Sequence, residues 1–148
     1  MIPIILGSDS DREFAEKITK ELDKWEVEYE VLVASAHKVP EKVMGIVAKY
    51  NESSEAVCYI TIAGRSNGLS GVTAGSSVHP VIACPPFSGK DDYQVNVHST
   101  LQMPSDTPVL TVIDPKNAAL SAVRILSNSN PALKEKMKDY IKEIKSKF

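Results

Sequence analysis

Apolar positions along the chain alternate between two periods. Ile2 to Leu6, Ala56 to Ala63, Val81 to Ala83 and Val109 to Ile113 are short apolar, largely β-branched runs bounded by Gly, Pro or polar clusters, and they predict strands. The run from Ala56 to Ala63 is almost wholly apolar, which marks a central strand covered on both faces. Val27 to Ala34 instead alternates Val27, Tyr29, Val31 and Val33 with Glu26, Glu28 and Glu30, predicting a strand nearer an edge with one wetter face. Helical spacing takes over between these runs. Residues 12 to 24 carry Phe14, Ile18 and Leu22 on one stripe, and Pro40 opens a helix whose apolar side is Val43, Ile46, Val47 and Tyr50. Asp114-Pro115 stops the fifth strand and starts a helix over Asn117 to Asn128, apolar almost all round and so expected to be covered on more than one side. A last helix runs from Pro131 to Phe148, and Trp25 is expected to pack against the sheet. Leu69 to Val78, with Gly71, Ala74, Gly75, Ser76 and Ser77, predicts a poor isolated helix that allows close backbone approach and tight subunit packing. Phe87 to Asn96 reads as a loop or irregular segment of the kind that often carries function.

Strands alternating with helices predict an α/β fold: a three-layer sandwich around a flavodoxin-like parallel sheet of about five strands, with a C-terminal helix. Residues 1–148 are read as a single domain. Ligands of such sheets lie beyond the carboxyl ends of the strands, where the strand order reverses. Strands one, two and three end in Gly7-Ser8-Asp9-Ser10-Asp11, Ser35-Ala36-His37-Lys38 and Ala63-Gly64-Arg65-Ser66-Asn67, so three loops distant in sequence are expected to share one crevice. The first combines a strand end, free backbone N–H groups and a helix start, which suits an anion such as phosphate. By itself the same pentapeptide is equally an ordinary turn with a helix cap.

Composition narrows the choice of partner. With 17 basic and 19 acidic residues mixed along the chain and a formal charge of −2, there is no nucleic-acid footprint. Six lysines between Lys134 and Lys147 alternate with acids and read as a solvated helix face. No apolar run reaches the roughly 20 residues of a membrane span, and the first strand follows the N-terminus directly, so a cytoplasmic protein is expected. Cys58 and Cys84 lie in apolar runs without ligand spacing and read as buried, reduced thiols, not as a zinc site or disulfide.

The candidate chemistry centres on His37, the only histidine placed in a polar loop at such a strand end; His79 and His98 have no assigned role. A histidine titrates near neutrality and suits proton exchange. Lys38 and Arg65 offer cations for phosphate or carboxylate. The sequence lacks GxxxxGK[ST] and GxGxxG patterns. The residues alone therefore point to an enzyme acting on a phosphate-bearing small molecule through one histidine, without metal or other cofactor.

The ordered set GSDSD, SAHK, AGRSN, Cys84-Pro85-Pro86, Leu101-Gln102-Met103-Pro104-Ser105 and Asn117-Ala118-Ala119 resembles the phosphoribosylaminoimidazole carboxylases of purine biosynthesis over nearly the whole chain. The resemblance implies a homo-octamer acting on a ribose 5-phosphate carried by an aminoimidazole ring, with no ATP, biotin or metal. By the same resemblance Ser8 and Ser10 contact phosphate or ribose, Asp11 accepts from ribose hydroxyls, and Asp9 is left to solvent. Ser35 and Lys38 help hold the phosphate, His37 meets the reacting carboxyl, and Gly64, Arg65 and Ser66 hold carbon dioxide or the product carboxylate. Two branches share this pattern. A mutase branch moves a carboxyl from the exocyclic nitrogen to the ring and has a longer third loop, a second histidine before its leucine, and Arg in place of Lys38. Here Gly68 precedes Leu69 in a shorter loop, which resembles the branch that adds carbon dioxide directly. Outside the family, a flavodoxin-like phosphate-binding module would call for more aromatic residues in these loops, and a receiver domain for an acceptor Asp at the third strand end.

Overall fold

The computed structural model describes residues 1–148. The strands are β1 Ile2–Leu6, β2 Tyr29–Val33, β3 Tyr59–Ile62, β4 Val81–Ala83 and β5 Leu110–Thr111. The helices are α1 Arg12–Asp23, α2 Pro40–Asn51, α3 Gly68–Ser76, α4 Lys90–Leu101, α5 Pro115–Ser127 and α6 Pro131–Lys145. All neighbouring strands are parallel, in the order β2-β1-β3-β4-β5. This is the flavodoxin-like α/β order expected from the alternation of periods.

Period-two alternation in β1 divides the core. Ile2, Ile4 and Leu6 face α1, α5 and α6 together with Ile60, Ile62 and Ile82, while Ile5 faces α2 and α3 with Tyr59 and Val81. Three layers follow directly. Helix α5 buries Ala118, Ala119, Ala122, Val123 and Leu126 between the sheet, α1 and α6, the multiple cover its composition predicts. Trp25 lies in this core and meets Tyr140 of α6 edge-to-face, with ring centroids 5.1 Å apart. Strand β2 is an edge strand, half-buried throughout, and is tied to α2 where the Tyr50 hydroxyl donates to Glu30 Oε2 at 2.5 Å. The α6 lysines are exposed, three of them in ion pairs with Glu26, Glu135 and Asp139, and Lys147 just beyond the helix pairs with Glu143. Both cysteines are fully buried, and burial pushes each thiol up to about 12. No helix is long and apolar enough to cross a membrane.

Several expectations change. Helix α1 buries Ala15, Ile18 and Leu22, whereas Phe14 turns half-buried toward the crevice; Glu21 is buried and accepts a 2.6 Å bond from Lys24. Strand β5 is laddered only over Leu110–Thr111, shorter than its apolar run. Residues 87–96 are not a loop throughout, because α4 begins at Lys90. That helix has no apolar stripe: its two buried side chains are Asn96 and Thr100.

The sheet centre and the helix caps should differ in weight. Ile60→Ala empties a fully buried position and is expected to cost about 2–5 kcal/mol. Asp114→Ala removes only the cap that accepts the Asn117 N–H at 2.8 Å, worth about 1 kcal/mol. Urea midpoints at constant m report both.

Candidate active site

Strand order reverses at β1, which has β2 on one side and β3 on the other. The chain leaves β1 for α1 on one face and β3 for α3 on the opposite face, opening a crevice at the carboxyl ends. A cleft of about 900 Å³ occupies it, and its lining includes Ser8, Ser10, Asp11, Ser35, His37, Lys38, Gly64, Arg65 and Ser66. All nine residues singled out from the sequence thus share one cavity.

The first loop is ordered by its own side chains. Ser8 is extended, and its Oγ accepts from the Ser10 N–H at 3.3 Å and from the Ser10 hydroxyl at 2.8 Å. A single 3-10 turn, Asp9–Asp11, then leads into α1. Asp9 is exposed, pairs with Arg12 at 2.6 Å and is absent from the cleft lining. Asp11 is half-buried; desolvation lifts its carboxyl above the ordinary carboxylate range, partly offset by a backbone hydrogen bond with Ser8. Beneath the loop the Gly7 N–H donates to the Ile62 carbonyl at 2.8 Å, and a Cβ on Gly7 would stand 3.2 Å from Ala63 Cβ. The first and third loops are held side by side there.

The second loop turns where the Val39 N–H donates to the Ser35 carbonyl at 2.9 Å, and Pro40 then starts α2. His37 reaches across to the N-terminus of α3. Its ring lies so close to Gly68 that a Cβ there would come within 2.9 Å of Nε2. In the third loop Arg65 has φ 54°, in the left-handed region. Its N–H donates to Asn96 Oδ1. Asn67 caps α3 by accepting the Ser70 N–H at 3.1 Å.

Sequence reasoning marked 87–96 as functional in kind but named no side chain there. The structure brings Pro86, Phe87, Ser88, Asp92 and Asn96 to the cleft wall, opposite Phe14 and Lys17 of α1. The Phe87 ring meets Phe14 at 6.4 Å and Tyr93 at 5.3 Å between centroids. The remaining histidines stand apart: His79 Nε2 is 2.9 Å from the Tyr50 carbonyl, and His98 lies on the exposed part of α4 outside this cleft.

Hydroxyls and backbone N–H groups at a strand-to-helix turn, the three cations Lys17, Lys38 and Arg65, and one histidine at the reversal of a parallel sheet fit an α/β enzyme for a small-molecule substrate. Residues 1–147 match the family model described as AIR carboxylase, and the chain belongs to that family, an enzyme family of purine biosynthesis. It is 41% identical over 145 residues to a phosphoribosylaminoimidazole carboxylase of Treponema denticola, covering 95% of this chain and 88% of that one. It is also 42% identical over 149 residues to an N5-carboxyaminoimidazole ribonucleotide mutase of Methanocaldococcus jannaschii, covering 99% and 92% of the two chains. The crystal structure of Treponema denticola PurE superposes with a TM-score of 0.91 at 40% identity, covering 99% of this chain and 92% of that one.

Asp11 is placed to show a trade between stability and binding. Its folded-state affinity for a proton is raised, so the ionised side chain opposes folding above the carboxylate range and ceases to do so as pH falls through it. Asp11→Asn is therefore expected to raise Tm at pH 7, with the gain fading at acid pH. If Asp11 contacts the substrate, the same change should raise the nucleotide KM about tenfold, the loss of one charge-assisted hydrogen bond.

Proposed function

We propose that this enzyme carboxylates 5-aminoimidazole ribonucleotide directly with carbon dioxide, giving 4-carboxy-5-aminoimidazole ribonucleotide. The observation that carries the choice of branch is Gly68. Where the mutase pattern places a second histidine, this chain has a residue with no side chain, and the edge of the His37 ring occupies the space, 2.9 Å from where a Cβ would begin. Lys38 in the second loop and the short third loop support the same choice. Overall likeness does not separate the branches, since relatives bearing both names match at similar identity.

In this reading Ser8, Ser10, Ser35 and Lys38 hold the ribose phosphate, and Asp11 accepts from ribose hydroxyls. Gly64, Arg65 and Ser66 hold carbon dioxide beside His37. The electron-rich ring carbon attacks the carbon of carbon dioxide, and one C–O π pair moves onto oxygen to make the carboxylate. Arg65 offers a planar fork to that growing charge. The adduct still carries a proton on the same ring carbon. His37 accepts it, the C–H pair returns to the ring, and the imidazolium later releases its proton to water. Holding both reactants removes the entropic cost of bringing a small, weakly gripped gas to the ring. The assembly is a homo-octamer in this reading, in which neighbouring copies would cover Val78, Val95 and Leu101 of the α3–α4 region, 76%, 55% and 61% exposed in the single chain.

Aminoimidazole ribonucleotide with bicarbonate or carbon dioxide, and without ATP, should give the carboxylated product in a spectrophotometric assay. Turnover confined to the nitrogen-carboxylated isomer would instead place the chain in the mutase branch. His37→Asn should retain nucleotide affinity within about twofold while kcat falls by about 10²–10⁴. A near-normal rate would remove His37 from the chemistry.

A further inference from the structure

Gly64-Arg65-Ser66 has no regular structure of its own, and Arg65 sits at φ 54°, a conformation that a residue with a side chain holds only when its surroundings fix it. Those surroundings come from one face of α4. Asn96, Ser99 and Thr100 stand at i, i+3 and i+4 along the helix, and all three grip the third loop. Asn96 Oδ1 accepts the Arg65 N–H at 2.5 Å, while Asn96 Nδ2 donates to the Pro86 carbonyl at 2.5 Å. The two partners fix which way the carboxamide points, since a backbone N–H demands the oxygen and a carbonyl demands the nitrogen. Ser99 Oγ accepts the Asn67 N–H at 2.7 Å. Thr100 Oγ1 accepts from Asn67 Nδ2 at 2.9 Å and donates to the Asn96 carbonyl at 2.7 Å. The chain of bonds continues through Asn67 and Ser70 to Thr61 on β3.

Gly64 belongs to the same device. A Cβ there would lie 2.8 Å from Asn96 Nδ2 and 3.1 Å from Oδ1. Glycine leaves the room in which the Asn96 carboxamide lies against the loop backbone. Asn96 is 7% exposed and lines the cleft, yet its two polar atoms are both spent on the backbone on either side of the crevice wall.

We propose that Asn96 is a positioning residue for the carboxylation: it fixes the backbone of Arg65, and through it the direction in which Arg65 and Ser66 meet the reacting carboxyl. The proposal rests on the reading that the third loop holds carbon dioxide. The phosphate and ribose contacts proposed for the first loop have no bond to Asn96, so its loss should act on rate and not on nucleotide capture. A small misplacement of a reacting group is enough to cost about 10²-fold in rate.

Asn96→Ala, Asn96→Asp, Gly64→Ala and the double variant Gly64→Ala/Asn96→Ala test this, with kcat, nucleotide KM and Tm measured for each. Asn96→Ala should lower kcat about 30- to 100-fold and leave the nucleotide KM within about threefold. Asn96→Asp keeps an oxygen for the Arg65 N–H and should recover most of that loss, to within about fivefold of the wild type, even though the bond to Pro86 is gone. Gly64→Ala should resemble Asn96→Ala, and the double variant should be no worse than the poorer single one, because both changes break the same contact. The proposal is overturned by a normal kcat in Asn96→Ala, by a loss that follows Tm and is not rescued by Asp, or by additive effects in the double variant. The wild type is run beside them on both candidate substrates. If it accepts only the nitrogen-carboxylated isomer, the direct-carboxylation reading fails, and the Asn96 comparison is then made on that isomer, where the same kcat pattern upholds positioning and its absence overturns it.

Discussion

The close approach of the ends of β1 and β3 is the contact on which the crevice depends. The Gly7 N–H reaches the Ile62 carbonyl at 2.8 Å, and the small residues Gly7 and Ala63 face each other where both strands give way to loops. The next segments depart to opposite faces of the sheet, so the two loops separate above a common floor. A parallel sheet that reverses its strand order makes such an opening by topology alone. What is particular here is that the smallest side chains stand at the fork, which lets Ser8 and Ser66 line the same cavity.

Two kinds of packing support this arrangement. Below the fork the sheet is closed by apolar side chains with almost no exposure, and alternation along β1 and β3 shares them between the two faces. Above it, loop three is held by buried polar groups. Asn96, Asn67, Thr100, Ser70 and Thr61 are all nearly inaccessible, and each has hydrogen-bond partners. Such a network tolerates little rearrangement, because any broken bond strands a buried polar group. Groups that must meet a developing charge without reorganising are well served by that stiffness.

The same contrast explains what was legible in the sequence. The strand sequence and α1, α2, α5 and α6 were readable because each presents a periodic apolar face to the core. The three loops that line the cleft were readable because glycine, hydroxyl and charged residues follow apolar runs abruptly. Helix α4 was not. The side it turns inward meets a polar loop, so it carries Asn96, Ser99 and Thr100 where a core-facing helix would carry Leu or Ile, and the periodicity test has nothing to detect. Helix α3 was undervalued for a related reason: three glycines lower its intrinsic propensity, but the Asn67 cap and the burial of Leu69, Thr73 and Ala74 override that cost. The excess length expected of β5 reflects an apolar run only part of which finds a ladder partner.

Helix α4 therefore has a different standing from the other five. Its C-terminal half is bonded to the third loop through Asn96, Ser99 and Thr100. Just before its first turn, Phe87 packs edge-on against Phe14 of α1, the helix that the first loop opens. Tyr93, one turn into α4, backs the same ring. The helix thus touches the supports of both loops, one through polar atoms and the other through aromatic faces. A shift of α4 would alter the spacing between the proposed phosphate anchor and the proposed carboxyl site without touching the sheet. The stretch with the weakest periodic signal in the chain is consequently the one that joins the supports of the two loops, because its inward side fits loops and not the core.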